Sequence, residues 1–462
     1  MMHVYNTLGR RREALHPRVP GKIGLYVCGI TVYDHLHIGH ARSMLAYDVL
    51  YRHLLTSGFD VTYVRNITDV DDKIIERARA GGETPEALAQ RFIDAMTEDA
   101  RALGALPPTH EPRAMGHVDD VIRMIGTLID SGHAYAIDGG DVLYAVRSFP
   151  DYGKLSGRRL DELRAGARIV TDESKRDPLD FALWKAAREG EPSWPSPWGA
   201  GRPGWHIECS AMSTALLGAE FDIHGGGLDL EFPHHENEIA QSEAANGAGF
   251  ARYWMHNGLV RVDGEKMSKS LGNFLTVRDA LAEWRGEELR FFVVASHYRS
   301  PVDCSTEALA AARRALRGLY TALRGQPVDP DAPLDEGCVA RFVAAMDDDL
   351  NTPGAIAVLH ELAGALNRAR DDARAATLAA TLRTLGGRLG LLQDDPEAVL
   401  QGALDPGAAA ALSAEAIEAL IEKRRAARAA KDFARGDAIR DELAAAGISL
   451  EDAGGRTTWR RD

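Results

Sequence analysis

The sequence predicts an α/β protein: a parallel, doubly wound sheet interrupted by an insertion, followed by a helical bundle and a small C-terminal module. Three observations carry this prediction. The first part alternates apolar strand-like segments with amphipathic helix-like ones, the texture of βαβ units. From about residue 133 that texture gives way to a hairpin and a stretch rich in Pro, Trp and Gly, before strand signals return at Phe221. Beyond about residue 307, Ala, Leu and Arg recur with helical periodicity.

The elements follow in order. Ile23–Cys28 reads as a strand, Ile38–Leu55 as a helix and Val61–Val64 as a second strand. Thr84 is a predicted N-cap with Pro85 at the first helical position, and a further helix is expected over His117–Ile129. Ala134–Val146 reads as a hairpin around Asp138-Gly139-Gly140-Asp141, and Pro192–Pro203 completes the insertion. The sheet resumes with a strand at Phe221–His224, then Gly225-Gly226-Gly227 and a helix over Phe232–Ala245. Helical periodicity runs through Leu309–Leu323 and Cys338–Arg374. A linker near Leu404–Gly407 leads to a basic tail containing Lys423, Arg424, Arg425, Arg428, Lys431, Arg435 and Arg440.

Composition narrows the class. The chain has 462 residues, 45% of them hydrophobic, which is enough to build several cores. Its longest apolar runs, such as Phe291–Ala295, fall far short of the roughly 20 residues that span a bilayer. The N-terminus carries Arg10, Arg11 and Arg12 with no apolar run behind them, so a cytoplasmic location and no membrane partner are expected. Four scattered cysteines do not make a disulfide framework and read as reduced thiols or metal ligands. A formal charge of -14 argues against a protein that coats nucleic acid, so a polyanion would have to be held by a local basic face.

Two motifs point to chemistry on a nucleotide. His37-Ile38-Gly39-His40 opens a helix after a strand, where free backbone N–H groups favour phosphate. Its two imidazoles can donate to oxygens that gain charge as the α-phosphorus is attacked, and Gly39 allows close backbone approach. A metal cluster of His35, His37 and His40 is an alternative reading of the same residues. Lys266-Met267-Ser268-Lys269-Ser270 sits between Asp263-Gly264 and Leu271-Gly272-Asn273, as a loop whose two lysines can neutralise a leaving pyrophosphate. Taken alone, it is equally a solvated basic loop. A third constellation is less decided: His234 and Glu238 are four apart on an expected helix, and Cys28 and Cys209 are expected near strand ends of the same domain. Thiol, imidazole and carboxylate suit zinc, but small buried cysteines and a satisfied core histidine fit that spacing as well.

The two motifs together resemble the HIGH and KMSKS signatures of class I aminoacyl-tRNA synthetases, and within that class the chain most resembles the cysteinyl-tRNA synthetases. The resemblance spans the chain through Leu25–Asp34, Asn66–Lys73, Gly204–Ser210, Phe232–Glu238 and Asp349–Pro353. It implies that ATP with Mg²⁺, L-cysteine and tRNA(Cys) are the partners. It implies catalytic roles for His37, His40, Lys266 and Lys269, with Ile38, Gly39, Met267, Ser268 and Ser270 around ATP. It implies one Zn²⁺ per subunit on Cys28, Cys209, His234 and Glu238, which recognises the substrate thiolate. Gly29, Thr31 and Thr68 would meet the amino and carboxylate groups of cysteine, beside Trp205, His35, His206 and His235.

The resemblance also implies a Rossmann-type catalytic domain at 1–125 and 200–250, a connective insertion at 126–199 and a stem-contact region with the KMSKS loop at 251–310. A helical bundle at 311–400 and an anticodon-binding domain at 401–462 complete the expected plan, in a monomer. In the last domain Arg428, Asp437, Arg440 and Asp452 would meet base edges and Trp459 would stack on an unstacked base. Three other functions stay open on the residues alone. These are a paralogue that passes cysteine to a small amine, a catalytically silent tRNA-binding zinc protein and a zinc hydrolase.

Overall fold

The computed structural model describes residues 1–161, 175–262, 265–266, 275–326, 332–369, 373–407, 412–453 and 456–461. The chain forms two compact units. The first comprises Met1–Val277, Ser296–Asp303 and Ala344–Thr352, and the second the remaining segments Arg278–Ala295, Cys304–Val343 and Pro353–Asp462. Among the described residues no helix is long and apolar enough to cross a membrane.

The first unit opens with an antiparallel pair, β1 (His3–Asn6) and β2 (Arg11–Ala14). Strand β3 (Lys22–Thr31) then leads to helix α1 (Ile38–Thr56) and strand β4 (Asp60–Thr68). Both strands run past their expected ends, β3 through Gly29-Ile30-Thr31 and β4 through Arg65-Asn66-Ile67-Thr68. Helices α2 (Asp72–Gly81) and α3 (Pro85–Ala102) follow, and Thr84 caps α3 by accepting from Ala87 N, with Pro85 at the first turn. Helix α4 (Val118–Asp130) matches its expected position. The inserted hairpin forms as β5 (Ala134–Ala136) and β6 (Val142–Tyr144), and β7 (Phe181–Ala186) and β8 (Gly201–Pro203) extend it into a four-stranded antiparallel sheet.

Helix α5 (Trp205–Leu217), strand β9 (Phe221–Gly227), helix α6 (Glu236–Asn246) and strand β10 (Ala251–Asn257) return the chain to the main sheet. That sheet is parallel with order β10-β9-β3-β4, so one of its two edge strands, β10, lies beyond residue 250, in the segment the family resemblance assigns to the stem-contact region. Cys209 sits on α5 rather than near a strand end, since Trp205–Leu217 contains no Gly or Pro to interrupt a helix. Helix α6 begins at Glu236, four residues later than expected. Phe232 is extended (φ −143°, ψ 133°) because the following Pro233 disfavours the helical region, and a π-turn over Glu231–His235 joins it to α6. The hairpin β11 (Val260–Val262) and β12 (Glu265–Lys266) follows β10.

The second unit is mainly helical: α7 (Gly286–Val294), α8 (Thr306–Leu323), α9 (Glu336–Asp347) up to Val343, α10 (Thr352–Arg368) from Pro353, α11 (Arg374–Arg388) and α12 (Pro396–Leu400). The periodicity over Cys338–Arg374 is broken between α9 and α10, where Asp349 (φ 58°) and Leu350 (φ 52°) leave the helical region ahead of Pro353. The C-terminal module pairs α13 (Ala414–Ala429) with α14 (Phe433–Ala445) and a hairpin of β13 (Ile448–Ala453) and β14 (Arg456–Arg461). Its small core is Ile417, Ile421, Ile439, Leu443, Ile448 and Trp459.

Candidate functional site

The first motif is a helix cap built from imidazoles. His37 is the N-cap of α1, and its Nδ1 accepts from His40 N (3.2 Å) while His40 Nδ1 accepts from His37 N (3.3 Å). The rings stack at 3.5 Å between centroids. Because each Nδ1 is an acceptor, each neutral ring carries its proton on Nε2. Burial and the neighbouring His37 hold His40 well below its ordinary pKa, so it stays neutral. Two N–H donors therefore occupy the positive end of a helix, where anions are favoured. Ile38 is buried and Gly39 partly so.

The second motif lies mostly outside the described residues: Met267, Ser268, Lys269 and Ser270 are not among them, and Lys266 is described as the last residue of β12. The chain just beyond returns to the first motif, with Ile38 N donating to Leu275 O (3.1 Å) and Val277 N to Leu36 O (2.7 Å).

Four donors converge where β3, α5 and α6 meet. Cys28 Sγ lies 3.6 Å from Cys209 Sγ and 3.2 Å from Glu238 Oε1, and His234 Nε2 lies 3.0 Å from the same oxygen. The metal-ligating atoms of Cys28, Cys209, His234 and Glu238 all fall within 4.8 Å of one another, and all four residues are buried. Their proton affinities are shifted by one another. Donation from Cys28 draws the Cys209 thiol down to about 6 against the effect of burial, while burial pushes Cys28 well up. Burial opposes charge on His234, but Glu238 and Cys209 overcome it and raise His234 to about 10. Burial likewise opposes ionisation of Glu238, and His224 and His234 hold it well below the carboxylate range. Two thiols, one imidazole and one carboxylate fit a tetrahedral zinc site.

A second donor set shares Cys28 and Glu238 and adds His224 and His235. His224, on β9, was not singled out by the sequence, nor was His256, whose Nε2 lies 2.8 Å from His235 Nδ1. Nothing in the local spacing marks either; each is one strand residue among apolar neighbours. Among the described residues, His35, His37 and His40 form no such donor group. The ring of His35 instead stands edge-on to Phe92 of α3.

The other expected pocket residues are placed as follows. Trp205 is 40% exposed and stacks on His234 at 4.4 Å, so it forms a wall beside the donor set. His206 Nδ1 lies 2.8 Å from His234 Nδ1, and His235 is fully buried. Gly29 adjoins Cys28 in β3, where only a hydrogen fits: a Cβ would lie 1.6 Å from Asn66 O. Thr31 ends β3. Thr68 ends β4, and its hydroxyl donates to Glu208 Oε2 (3.0 Å), a buried carboxylate the sequence did not single out.

In the C-terminal module the expected base-stacking residue is displaced. Trp459 is 1% exposed, a core side chain whose Nε1 donates to Glu418 (2.7 Å), so it has no face to offer a base. The aromatic that is presented is Phe433, 61% exposed at the start of α14. Phe433, Asp437 and Arg440 are spaced i, i+4, i+7 and share one helix face, a pattern visible in the sequence. Arg440 pairs with Asp437 (3.3 Å), and Arg428 pairs with Asp452 (3.2 Å), which Arg424 also holds.

Comparison with known proteins shows the family. Residues 14–314 match the family model of the class I (C) tRNA synthetase catalytic domain, residues 341–393 the DALR domain and residues 410–460 the cysteinyl-tRNA ligase anticodon binding domain. The cysteine–tRNA ligase of Thioalkalivibrio sulfidiphilus is 62% identical over the whole of both chains, and that of Alkalilimnicola ehrlichii 60%. In fold the chain is similar to a Mycobacterium tuberculosis methionyl-tRNA synthetase (TM-score 0.55, 16% identity, 84% of this chain and 92% of that one). It is likewise similar to a leucyl-tRNA synthetase of Agrobacterium radiobacter (TM-score 0.59, 13% identity, 85% and 86%). The chain belongs to the cysteine–tRNA ligase family, class I aminoacyl-tRNA synthetases that join cysteine to its tRNA.

Proposed function

We propose that cysteine is selected on the Cys28, Cys209, His234 and Glu238 donor set by way of a single zinc ion. The observation that carries this is the convergence of two thiols, an imidazole and a carboxylate beside the half-exposed Trp205. Separating cysteine from serine by shape is hard, and a 10⁴ preference needs about 5.5 kcal/mol. Bound zinc supplies a soft Lewis acid that holds a thiolate far better than an alcohol. Trp205, His35, His206 and His235 line the side-chain pocket, and Gly29, Thr31 and Thr68 meet the amino and carboxylate groups.

The cysteine carboxylate attacks the α-phosphorus of Mg²⁺-bound ATP in line, forming cysteinyl adenylate and expelling pyrophosphate. His37 and His40 donate from Nε2 to the oxygens that gain charge. Lys266 and Lys269 neutralise the departing pyrophosphate, with Ile38, Gly39, Met267, Ser268 and Ser270 around the nucleotide. A ribose hydroxyl at the 3′ end of tRNA(Cys) then takes the acyl group and AMP leaves.

Recognition of the anticodon falls to the module at 401–462, through Arg428, Asp437, Arg440 and Asp452, with Phe433 as the stacking surface in place of Trp459. The insertion at 126–199 interrupts the catalytic domain, and the segment 251–310 and the bundle at 311–400 lie in the sequence between that domain and the module. The chain acts as a monomer in the cytoplasm, where its tRNA is.

The test joins metal analysis with cysteine-dependent ATP–pyrophosphate exchange before and after chelation, and with charging of a tRNA transcript bearing the cysteine anticodon. One zinc per chain, exchange lost on chelation and restored by zinc, and charging of that transcript are expected. Exchange that survives complete zinc removal overturns the recognition role. Exchange without charging points to a small amine as acceptor.

A further inference from the structure

A buried charge needs partners, and those of Arg42 give it a task beyond packing. Arg42 lies on α1, two residues after His40, and is completely buried. Its Nη2 donates to the carbonyls of His297 (2.9 Å), Tyr298 (3.2 Å) and Ser300 (2.7 Å), and its Nε to that of Gly258 (3.3 Å). Burial pulls the guanidinium down to about 10, so it keeps its charge at neutral pH. One side chain therefore clasps two separate segments to the helix that carries the first motif.

The clasped segments lead to the second motif. Gly258 N donates to Tyr298 O (2.8 Å) and Val302 N to Leu259 O (3.1 Å). The contact is too close for any other residue, because a Cβ on Gly258 would lie 2.4 Å from Ser300 O. Gly258 and Leu259 run straight into β11 and β12, the hairpin that ends at Lys266. The acceptor segment is held from its other side by Asp349, fully buried, which accepts from the Tyr298 hydroxyl (2.8 Å), Arg299 Nε (2.8 Å) and Tyr5 N (2.8 Å). Gly258, upstream of the second motif, and Leu275, downstream of it, are thus each hydrogen-bonded to α1. Ile38 and the preceding Leu36 hold the downstream foot through backbone hydrogen bonds, and Arg42, four residues from Ile38 on the same helix face, holds the upstream one.

We propose that Arg42 is a positioning residue for adenylate formation: it sets the upstream foot of the hairpin carrying Lys266 against the helix carrying His37 and His40. A lysine in its place keeps the charge but cannot reach carbonyls of both segments with one planar fork. A shift of about 1 Å in a group that stabilises a transition state costs on the order of 10²-fold in rate.

The inference rests on the role proposed for Lys266, and the experiment separates the two. Cysteine-dependent pyrophosphate exchange is measured for wild type, Arg42→Lys, Lys266→Ala and the double variant, with hydrogen exchange followed at residues 258–262. Arg42→Lys is expected to lower kcat about 10²-fold with little change in the KM for cysteine. The double variant is expected to fall little below Lys266→Ala, because both act through one group. Faster hydrogen exchange at 258–262 accompanies the loss. Wild-type kcat in Arg42→Lys, or losses that multiply in the double variant, overturn the proposal. If Lys266→Ala alone leaves kcat unchanged, the role given to Lys266 fails, and unchanged protection at 258–262 in Arg42→Lys then overturns the positioning role as well. Should Arg42→Lys not fold, Asp349→Asn loosens the same acceptor segment and is expected to show the same non-additivity with a smaller loss; additivity there counts equally against it.

Discussion

His224 Nε2 lies 2.8 Å from Oε2 of Glu238, and both side chains are completely buried. The other oxygen of Glu238 faces Cys28 and His234, so His224 orients the carboxylate that completes the donor set. Loss of such an orienting partner lowers metal affinity about 10- to 100-fold. His224→Ala is expected to show that drop in competition with a chromophoric zinc chelator. Unchanged affinity would remove His224 from the site.

Cys209→Ser replaces the thiol held at about 6 with a hydroxyl that does not ionise in this range. Zinc affinity and cysteine-dependent exchange should both fall further than the roughly 100-fold upper limit for an orienting residue. The variant should keep its fold, because Ser and Cys differ little in volume. Near-normal exchange with zinc absent would be the contrary result.

Trp459 and Phe433 exchange the roles that an aromatic can play. Trp459→Ala empties the centre of the small C-terminal core and strands Glu418, at a cost of about 3–5 kcal/mol. Proteolysis or hydrogen exchange across residues 414–461 should show that module opening first. Phe433→Ala should change stability by no more than about 0.5 kcal/mol. It should raise the KM for tRNA by roughly 5- to 150-fold, the equivalent of one stacked base at about 1–3 kcal/mol. A tRNA KM unaffected by Phe433→Ala would exclude it as the stacking surface.

Acid should destabilise the catalytic unit through histidines buried in neutral form. Burial, with His224 nearby, holds His256 down to about 3, whereas an unfolded histidine titrates near 6.5. Between those values the unfolded chain binds the extra proton, so stability is complete above about pH 6.5 and declines as the pH falls toward 3. His256 alone accounts for up to about 1.4 kcal/mol between pH 7.5 and 5.5. His40, His206 and His235, all lowered by burial, act in the same direction. Urea midpoints at the two pH values should differ less in His256→Asn than in wild type; an equal difference would contradict this.

Much of the site was legible because its signals are local. Caps and spacings act within a turn or two of backbone, so the start of α1 at His37-Ile38-Gly39-His40 and the cap at Thr84 could be read directly. The pairing of His234 with Glu238 was also legible, although the helix beneath them starts later than its periodicity suggests. The helix that bears Cys209 is not legible, because two isolated thiols carry no local mark of the elements that bear them. The unbroken periodicity over Cys338–Arg374 hid the turn at Asp349 and Leu350, since the composition stays helical while the backbone does not.

The two nucleotide motifs, the α/β plan with its insertion, and the family resemblance that nominates cysteine and tRNA are all written in residue order. Which side chains share a space depended on how the chain packs. His224 reaches Glu238 because β9 and α6 fold back beside each other, and Arg42 reaches Gly258 and Ser300 because loops more than 200 residues away return to α1. Packing also decided which aromatic of the last module is presented: the hairpin folds Trp459 inward over Ile417 and Leu443, and the first turn of α14 leaves Phe433 outside. Residue type announces what a side chain can do, and burial, which is a property of the whole packed chain, settles whether it faces a ligand or the core.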